Sequence, residues 1–165
     1  MHIPPWIRHL PWVSPARRLA WYPPFHAMSV KVKVLSDDWR HARIVLPLTG
    51  FSRNPGGGMF GGAVAALADP IAALACDRVF PGHSLWTRGL VLDFRREGRS
   101  DLELRFDFDP QQEQQIRAEL TRRGRATPSF EFGFYDTQDR LCVKAVNTVA
   151  IRPAGYRPSE GRHHE

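Results

Sequence analysis

The segment from Met59 to Val79 constrains the fold more than any other part of this 165-residue chain. It is apolar nearly all the way round, and nine of its positions are Gly or Ala. A helix with one apolar stripe lies on a surface, whereas one that is apolar on every side must be enclosed. The run reaches the ~18 residues of a membrane span, yet Asp69 and Pro70 sit at its middle, and an acid at that depth is costly in lipid. The segment therefore reads as a helix over about 59–79, buried in protein, whose small side chains let strands approach closely.

The enclosing elements follow from a period of two, which puts alternate side chains on opposite faces of a strand. Val30, Val32 and Val34 alternate with Lys31 and Lys33; after the turn at Ser36-Asp37-Asp38 come Ile44, Leu46 and Leu48. Four more strands are predicted from Leu90, Leu92 and Phe94; from Leu102 through Phe108; from Phe130, Phe132 and Phe134; and from alternate positions between Leu141 and Ile151, including Asn147. Gly98–Ser100 and Asp136–Asp139 read as hairpin turns. Between the fourth and fifth strands, Asp109-Pro110 is an N-cap followed by proline at the first helical position. Gln112 is placed to complete a capping box and Gly124 to end the helix, over about 110–123. Its large apolar residues are Ile116 and Leu120 alone, so it covers a surface without forming a core.

Six strands with one apolar face each, and one helix that must be enclosed, have an economical solution: an antiparallel sheet curled around the helix. This is an α+β hotdog fold, expected over residues 28–152, with a Pro/Trp/Arg-rich arm over 1–27 and a disordered tail over 153–165. Three of the five tryptophans (Trp6, Trp12, Trp21) fall in the arm. Trp and Arg together suit a membrane surface; the simpler reading is a strap across the domain's own apolar surface.

The net charge of +6 argues against a nucleic-acid partner once it is located. Residues 1–36 hold five basic residues and no acid, while Asp37–Ile151 holds 15 of each sign. A nucleic-acid footprint needs a basic domain surface, and this domain is neutral. Cys76 and Cys142 lie in apolar stretches without a CxxC pair, which predicts buried, reduced thiols and a cytoplasmic protein. The seven histidines have no metal-ligand spacing with acids or cysteines, so no metal is expected.

Asn54-Pro55-Gly56-Gly57-Gly58-Met59-Phe60-Gly61-Gly62, continuing to Ala68-Asp69-Pro70, resembles the Asn-loop-Gly-Gly-helix-Asp signature of hotdog thioesterases of the phenylacetyl-CoA type. The closer similarity, over roughly residues 20–152, is to a hotdog branch designated only as a domain of unknown function and grouped with thioesterases. It rests on Tyr22-Pro23-Pro24, Asp37-Asp38-Trp39-Arg40, Phe60-Gly61-Gly62 and Ala68-Asp69-Pro70. The resemblance implies a homodimer, or a dimer of dimers, with active sites between subunits and an acyl-CoA or acyl-carrier-protein substrate. Coenzyme A then enters as part of the substrate, and no cofactor is implied. By the same resemblance Asp69 is the general base or nucleophile, Asn54 helps place water or thioester, and the amides at Gly61 and Gly62 face the oxyanion. Substrate contacts are expected at Gly58, Phe60 and Gly62.

These residue types suit the reaction. Glycines at a helix N-terminus offer unobstructed N–H groups at the positive end of the dipole, and a carboxylate can take a proton from water. The better characterised thioesterases usually carry His where this chain has Phe60, which keeps a second reading in play: a non-catalytic hotdog protein that binds an acyl thioester or a lipid. Trp86 and Arg88 open the third strand and are also expected among the substrate contacts, where Arg88 could meet a CoA phosphate or a substrate carboxylate. Arg95, Arg96 and Arg99 read as a solvated basic turn that could also receive the nucleotide of CoA.

Overall fold

The computed structural model describes residues 14–156. The readings made above for Trp6 and Trp12 in the arm, and for the tail beyond Tyr156, lie outside the described residues. Two short helices, α1 (Pro15–Ala20) and α2 (Pro23–Ala27), precede strands β1 (Lys31–Leu35) and β2 (His41–Leu46). The central helix α3 (Gly61–Val79) is followed by β3 (His83–Phe94), β4 (Leu102–Asp107), α4 (Pro110–Arg123), β5 (Ser129–Tyr135) and β6 (Leu141–Pro153). The strands form one antiparallel sheet in the order β1-β2-β4-β5-β6-β3.

Helix α3 packs against β2, β4, β6 and β3, strands from both halves of the sheet, so the sheet curls around it in the hotdog arrangement. The inner layer reads directly from the register: Ile44 opposite Leu104, Leu104 opposite Phe134, Phe134 opposite Val143. All four are buried against Leu67, Ala68, Ile71 and Ala72 of the helix. At about 25 cal/mol per Å² of apolar surface, this burial is the main source of stability. Leu19, Phe25 and Met28 of the N-terminal helical segment are also buried in the core.

Both edge strands carry a β-bulge that the alternation did not foresee. In β1 the register shifts between Val32 and Val34, which turns Val34 to solvent and sets Leu35 opposite Ala42. In β3 it shifts between Thr87 and Gly89, leaving Arg88 as the extra residue. An extra residue reverses the parity of everything beyond it, so Leu85, Thr87, Leu90, Leu92 and Phe94 all lie on the inner side.

Two local expectations are corrected. Gly98–Ser100 is not a hairpin turn, because β3 pairs with β6 and β4 lies between β2 and β5. The amides of Arg95 and Arg96 both donate to the Cys142 carbonyl, holding the chain on β6 before it crosses to β4. Gln112 does not complete a capping box; its side chain donates to the Ser129 carbonyl at 2.7 Å. The cap itself forms, with Asp109 accepting from the Gln111 amide at 2.9 Å and Gly124 closing α4 at φ +66°.

Helix α4 is tied to the β1–β2 turn through one ion pair. Arg40 donates two hydrogen bonds to Glu113, at 2.8 and 2.9 Å, and Arg117 donates to the same carboxylate. The hydrogen bonds from Arg40 hold the Glu113 carboxyl below its ordinary value of 4.5. A carboxyl depressed on folding contributes stability above its unfolded pKa, and that contribution disappears as pH falls through the folded value. Glu113→Gln is therefore expected to lower the melting temperature at neutral pH and to make its decline between about pH 5 and pH 3 shallower. Melting curves across that range check this, and parallel curves for the two proteins would contradict it.

Candidate functional site

The loop before α3 is built by short-range hydrogen bonds. Ser52 is fully buried; its hydroxyl donates to the Pro47 carbonyl and accepts from the Thr49 amide at 2.9 Å, while its carbonyl accepts from the Phe60 amide at 2.7 Å. Asn54 closes the glycine run. Its Oδ1 accepts from the Gly58 amide at 3.1 Å and its Nδ2 donates to the Met59 carbonyl at 3.2 Å. Its own amide donates to the Gly58 carbonyl at 2.8 Å. Gly57, at φ +87°, occupies backbone space that suits glycine. One Nδ2 hydrogen of Asn54 remains for another partner.

Helix α3 starts at Gly61 with Phe60 as an N-cap that has no capping side chain. Its first amides are orphaned by helix geometry, and those of Gly61 and Gly62 have no partner among the described residues. Their missing side chains matter. A Cβ on Gly61 would come within 3.1 Å of Phe94 Cζ, and one on Gly62 would overlap the ring of Phe60. Both phenyl rings are about half exposed, 52% for Phe60 and 54% for Phe94. Beside the helix start lies an open cavity of about 450 Å³, lined by Asn54, Gly61, Val64, Phe94, Arg96 and Leu102 among others.

Two helical turns further on, the backbone departs from regular hydrogen bonding. Pro70 has no N–H to give the Ala66 carbonyl and its ring crowds that oxygen. The Asp69 carbonyl accepts from two side chains, Asn147 Nδ2 at 2.7 Å and Thr87 Oγ1 at 2.8 Å, and the Ala68 carbonyl accepts from Asn147 Nδ2 at 3.4 Å. The Asp69 side chain is exposed and, among the described residues, has no hydrogen bond or ion pair. Asn147 is fully buried and its Oδ1 has no partner. An unmade hydrogen bond of this kind costs about 1–3 kcal/mol.

The structure thus gathers the predicted residues in two places. Asn54, Gly58, Phe60, Gly61 and Gly62 cluster at the start of α3. Asp69 lies eight positions along the same helix, roughly 12 Å away at 1.5 Å per residue. Arg88 is exposed at the bulge next to Thr87. Trp86 alternates to the outer side of the sheet, where its ring stacks on Tyr156 at 5.9 Å and Arg152 lies over it. Of the three basic residues of the turn, Arg95 pairs with Asp93 and Arg99 with Glu97, and the cavity is lined by Arg95, Arg96 and Glu97. No group of three or more metal-ligating side chains is present among the described residues. Nor is any described helix long and apolar enough to cross a membrane. Burial pushes the Cys76 thiol far above its ordinary pKa, so it is no nucleophile.

Sequence reasoning missed Asn147, Thr87 and Ser52. A signal for Asn147 existed: it is the one polar residue among the alternating apolar positions from Leu141 to Ile151.

Because Asn54 holds both ends of the glycine run, Asn54→Ala should lower unfolding stability by about 1–2 kcal/mol and speed amide exchange at Gly58. Urea denaturation with hydrogen-exchange mass spectrometry reads both. Unchanged exchange in the 54–60 segment would contradict the bonding described.

Comparison with known proteins agrees with this fold. A Pseudomonas aeruginosa protein of unknown function, described as a probable thioesterase, shares 23% identity at TM-score 0.68, over 78% of this chain and 85% of that one. A Haemophilus influenzae thioesterase shares 16% identity at TM-score 0.64, over 89% and 91%. A mutant of a Staphylococcus aureus thioesterase enzyme shares 16% at TM-score 0.61, over 78% and 97%. No curated protein matches the sequence. The model of one family, the domain of unknown function DUF4442, matches residues 15–151. With nearly the whole described chain inside that match, the protein belongs to the DUF4442 family.

Proposed function

We propose that this protein is a thioesterase that hydrolyses an acyl-CoA or acyl-carrier-protein thioester at a site shared by two copies of the chain. The observation that carries the reading is the start of α3: two open glycine amides at the positive end of a 19-residue helix, beside a cavity whose lining joins Val64, Phe94 and Leu102 to Asn54, Arg96 and Glu97. Amides so placed stabilise charge that develops on a carbonyl oxygen. Solved proteins of the same fold that are named thioesterases support the class of reaction.

In this reading Asp69 takes a proton from water as the water oxygen bonds to the thioester carbonyl carbon. The oxyanion that forms rests on the amides of Gly61 and Gly62. Its collapse breaks the carbon–sulfur bond, and the thiolate leaves and takes up the proton. The base and the oxyanion amides are too far apart along one helix to act on one bond, so the carboxylate of one copy meets the helix start of another. The free edge of β3 and the half-exposed Phe60 and Phe94 supply a surface for that contact, since an unpaired edge readily accepts a second chain. The substrate lies along Gly58, Phe60 and Gly62. Trp86 faces outward and is left to the C-terminal turn, while Arg88, at the bulge, is available to an anionic group. The buried thiols of Cys76 and Cys142, without a disulfide, favour a reducing compartment such as the cytoplasm.

Acyl-CoAs of graded chain length and aryl substitution, assayed by release of free thiol, test this. Turnover should fall at least about 100-fold in Asp69→Asn, and light scattering should give a dimeric or tetrameric mass. Absence of turnover with every thioester, alongside calorimetric binding of the same compounds, would replace hydrolysis by simple acyl-thioester binding. A monomeric active protein would remove the shared site.

A further inference from the structure

We infer that Asn147 and Thr87 are positioning residues that aim the Asp69 carboxylate, acting through the Asp69 main-chain carbonyl; the inference rests on the reading of Asp69 as the base.

Three departures from regular structure meet at this point. In α3, Pro70 interrupts the hydrogen-bond ladder directly after Asp69. In β3, the extra residue Arg88 falls directly after Thr87. In β6, the one buried asparagine stands in an otherwise apolar row, opposite Leu90 in the β3 register. Each has a cost of its own: a proline inside a helix, a disrupted ladder, a buried amide with half its hydrogen-bonding capacity unused. Their outputs coincide on one atom, since the Thr87 hydroxyl and the Asn147 amide both donate to the Asp69 carbonyl oxygen, at 2.8 and 2.7 Å.

The parity change explains why the bulge is needed. Without Arg88 as an extra residue, Thr87 and Leu90 could not both face the helix, because positions three apart on a regular strand point to opposite sides. The bulge lets Leu90 continue the apolar lining while Thr87 reaches the helix backbone. Two donors from two adjacent strands fix the peptide after Asp69 in two directions. The Asp69 side chain is exposed and takes no hydrogen bond among the described residues, so the backbone alone sets where its Cα–Cβ bond points and which staggered rotamers the carboxylate can use. Stability alone gives no reason for asparagine here. A leucine of similar volume would add apolar burial and remove the orphaned Oδ1. The amide is explained by the carbonyl it holds.

The test compares wild type, Asp69→Asn, Asn147→Leu, Thr87→Val and Thr87→Ser in the full-length protein. Three measurements are made: steady-state thioester hydrolysis, its pH profile, and the carbonyl-carbon NMR shift of Asp69. Thr87→Val keeps the shape of the side chain and so guards against failure of Asn147→Leu to fold. Loss of aim should lower kcat by about 10- to 100-fold in Asn147→Leu, less in Thr87→Val, with KM within about threefold. The carbonyl shift should move in both. Thr87→Ser, which keeps the hydroxyl, should restore both rate and shift. If Asp69→Asn is inactive while folded Asn147→Leu and Thr87→Val keep the wild-type kcat and pH profile, the positioning role alone is overturned. If Asp69→Asn keeps full turnover, or wild type has none, the reading of Asp69 as base fails and the positioning role falls with it.

Discussion

Enclosure of α3 by the sheet is the constraint on which the rest of this structure depends. The helix has apolar residues on nearly every side, and the inner faces of β2, β4, β5, β6 and β3 bury it. Small residues make the close approach workable: Ala68 and Ala72 are fully buried and keep the helix thin where the sheet curls most closely over it. Everything attached to the helix inherits that rigidity. Its N-terminal amides are held beside the cavity, and the peptide after Asp69 is held against β3 and β6. Elements further out, such as α4 with its Arg40–Glu113 pair, are fastened to this body without shaping it.

Buried polar side chains inside so apolar an interior are few, and Ser52 and Asn147 are each hydrogen-bonded to main-chain groups. Ser52 satisfies the turn that leads into the glycine loop. Asn147 and Thr87 hold the helix where a proline interrupts it. The glycine loop is therefore no slack connection: Asn54 binds it at both ends, leaving one N–H free. Beyond these bonds Asn54 keeps one Nδ2 hydrogen and one lone pair on Oδ1, whereas the two helix-start amides are uncommitted among the described residues.

The core of the fold was legible in the sequence because it rests on periodicity. Strict alternation at Leu102, Leu104 and Phe106 located β4, and the Asp109-Pro110 start with Gly124 at the end located α4. The bulges were not legible, since an inserted residue such as Arg88 leaves both flanking stretches apolar and alternating. Strand order was hidden for a related reason. Nothing local in Gly98–Ser100 tells a hairpin from a crossover, and the choice was made by β6, whose pairing with β3 runs from His83 opposite Pro153 to Phe94 opposite Val143. Of the candidate residues, those near Gly61 were recognisable as a motif, while Asn147 was concealed inside a strand pattern.

By itself the sequence determined that a helix apolar all round had to be enclosed, that six half-apolar strands would enclose it, and that glycine amides would open the helix. Those are consequences of side-chain pattern and backbone geometry, which act over a few residues. Only the tertiary structure decided that Thr87 and Asn147 converge on the carbonyl of Asp69, and that the acid and the helix start stand roughly 12 Å apart along one rigid rod. Such relations depend on register between strands distant in the chain. A shift of one residue in that register exchanges the inner and outer faces, and no local pattern records which register is chosen.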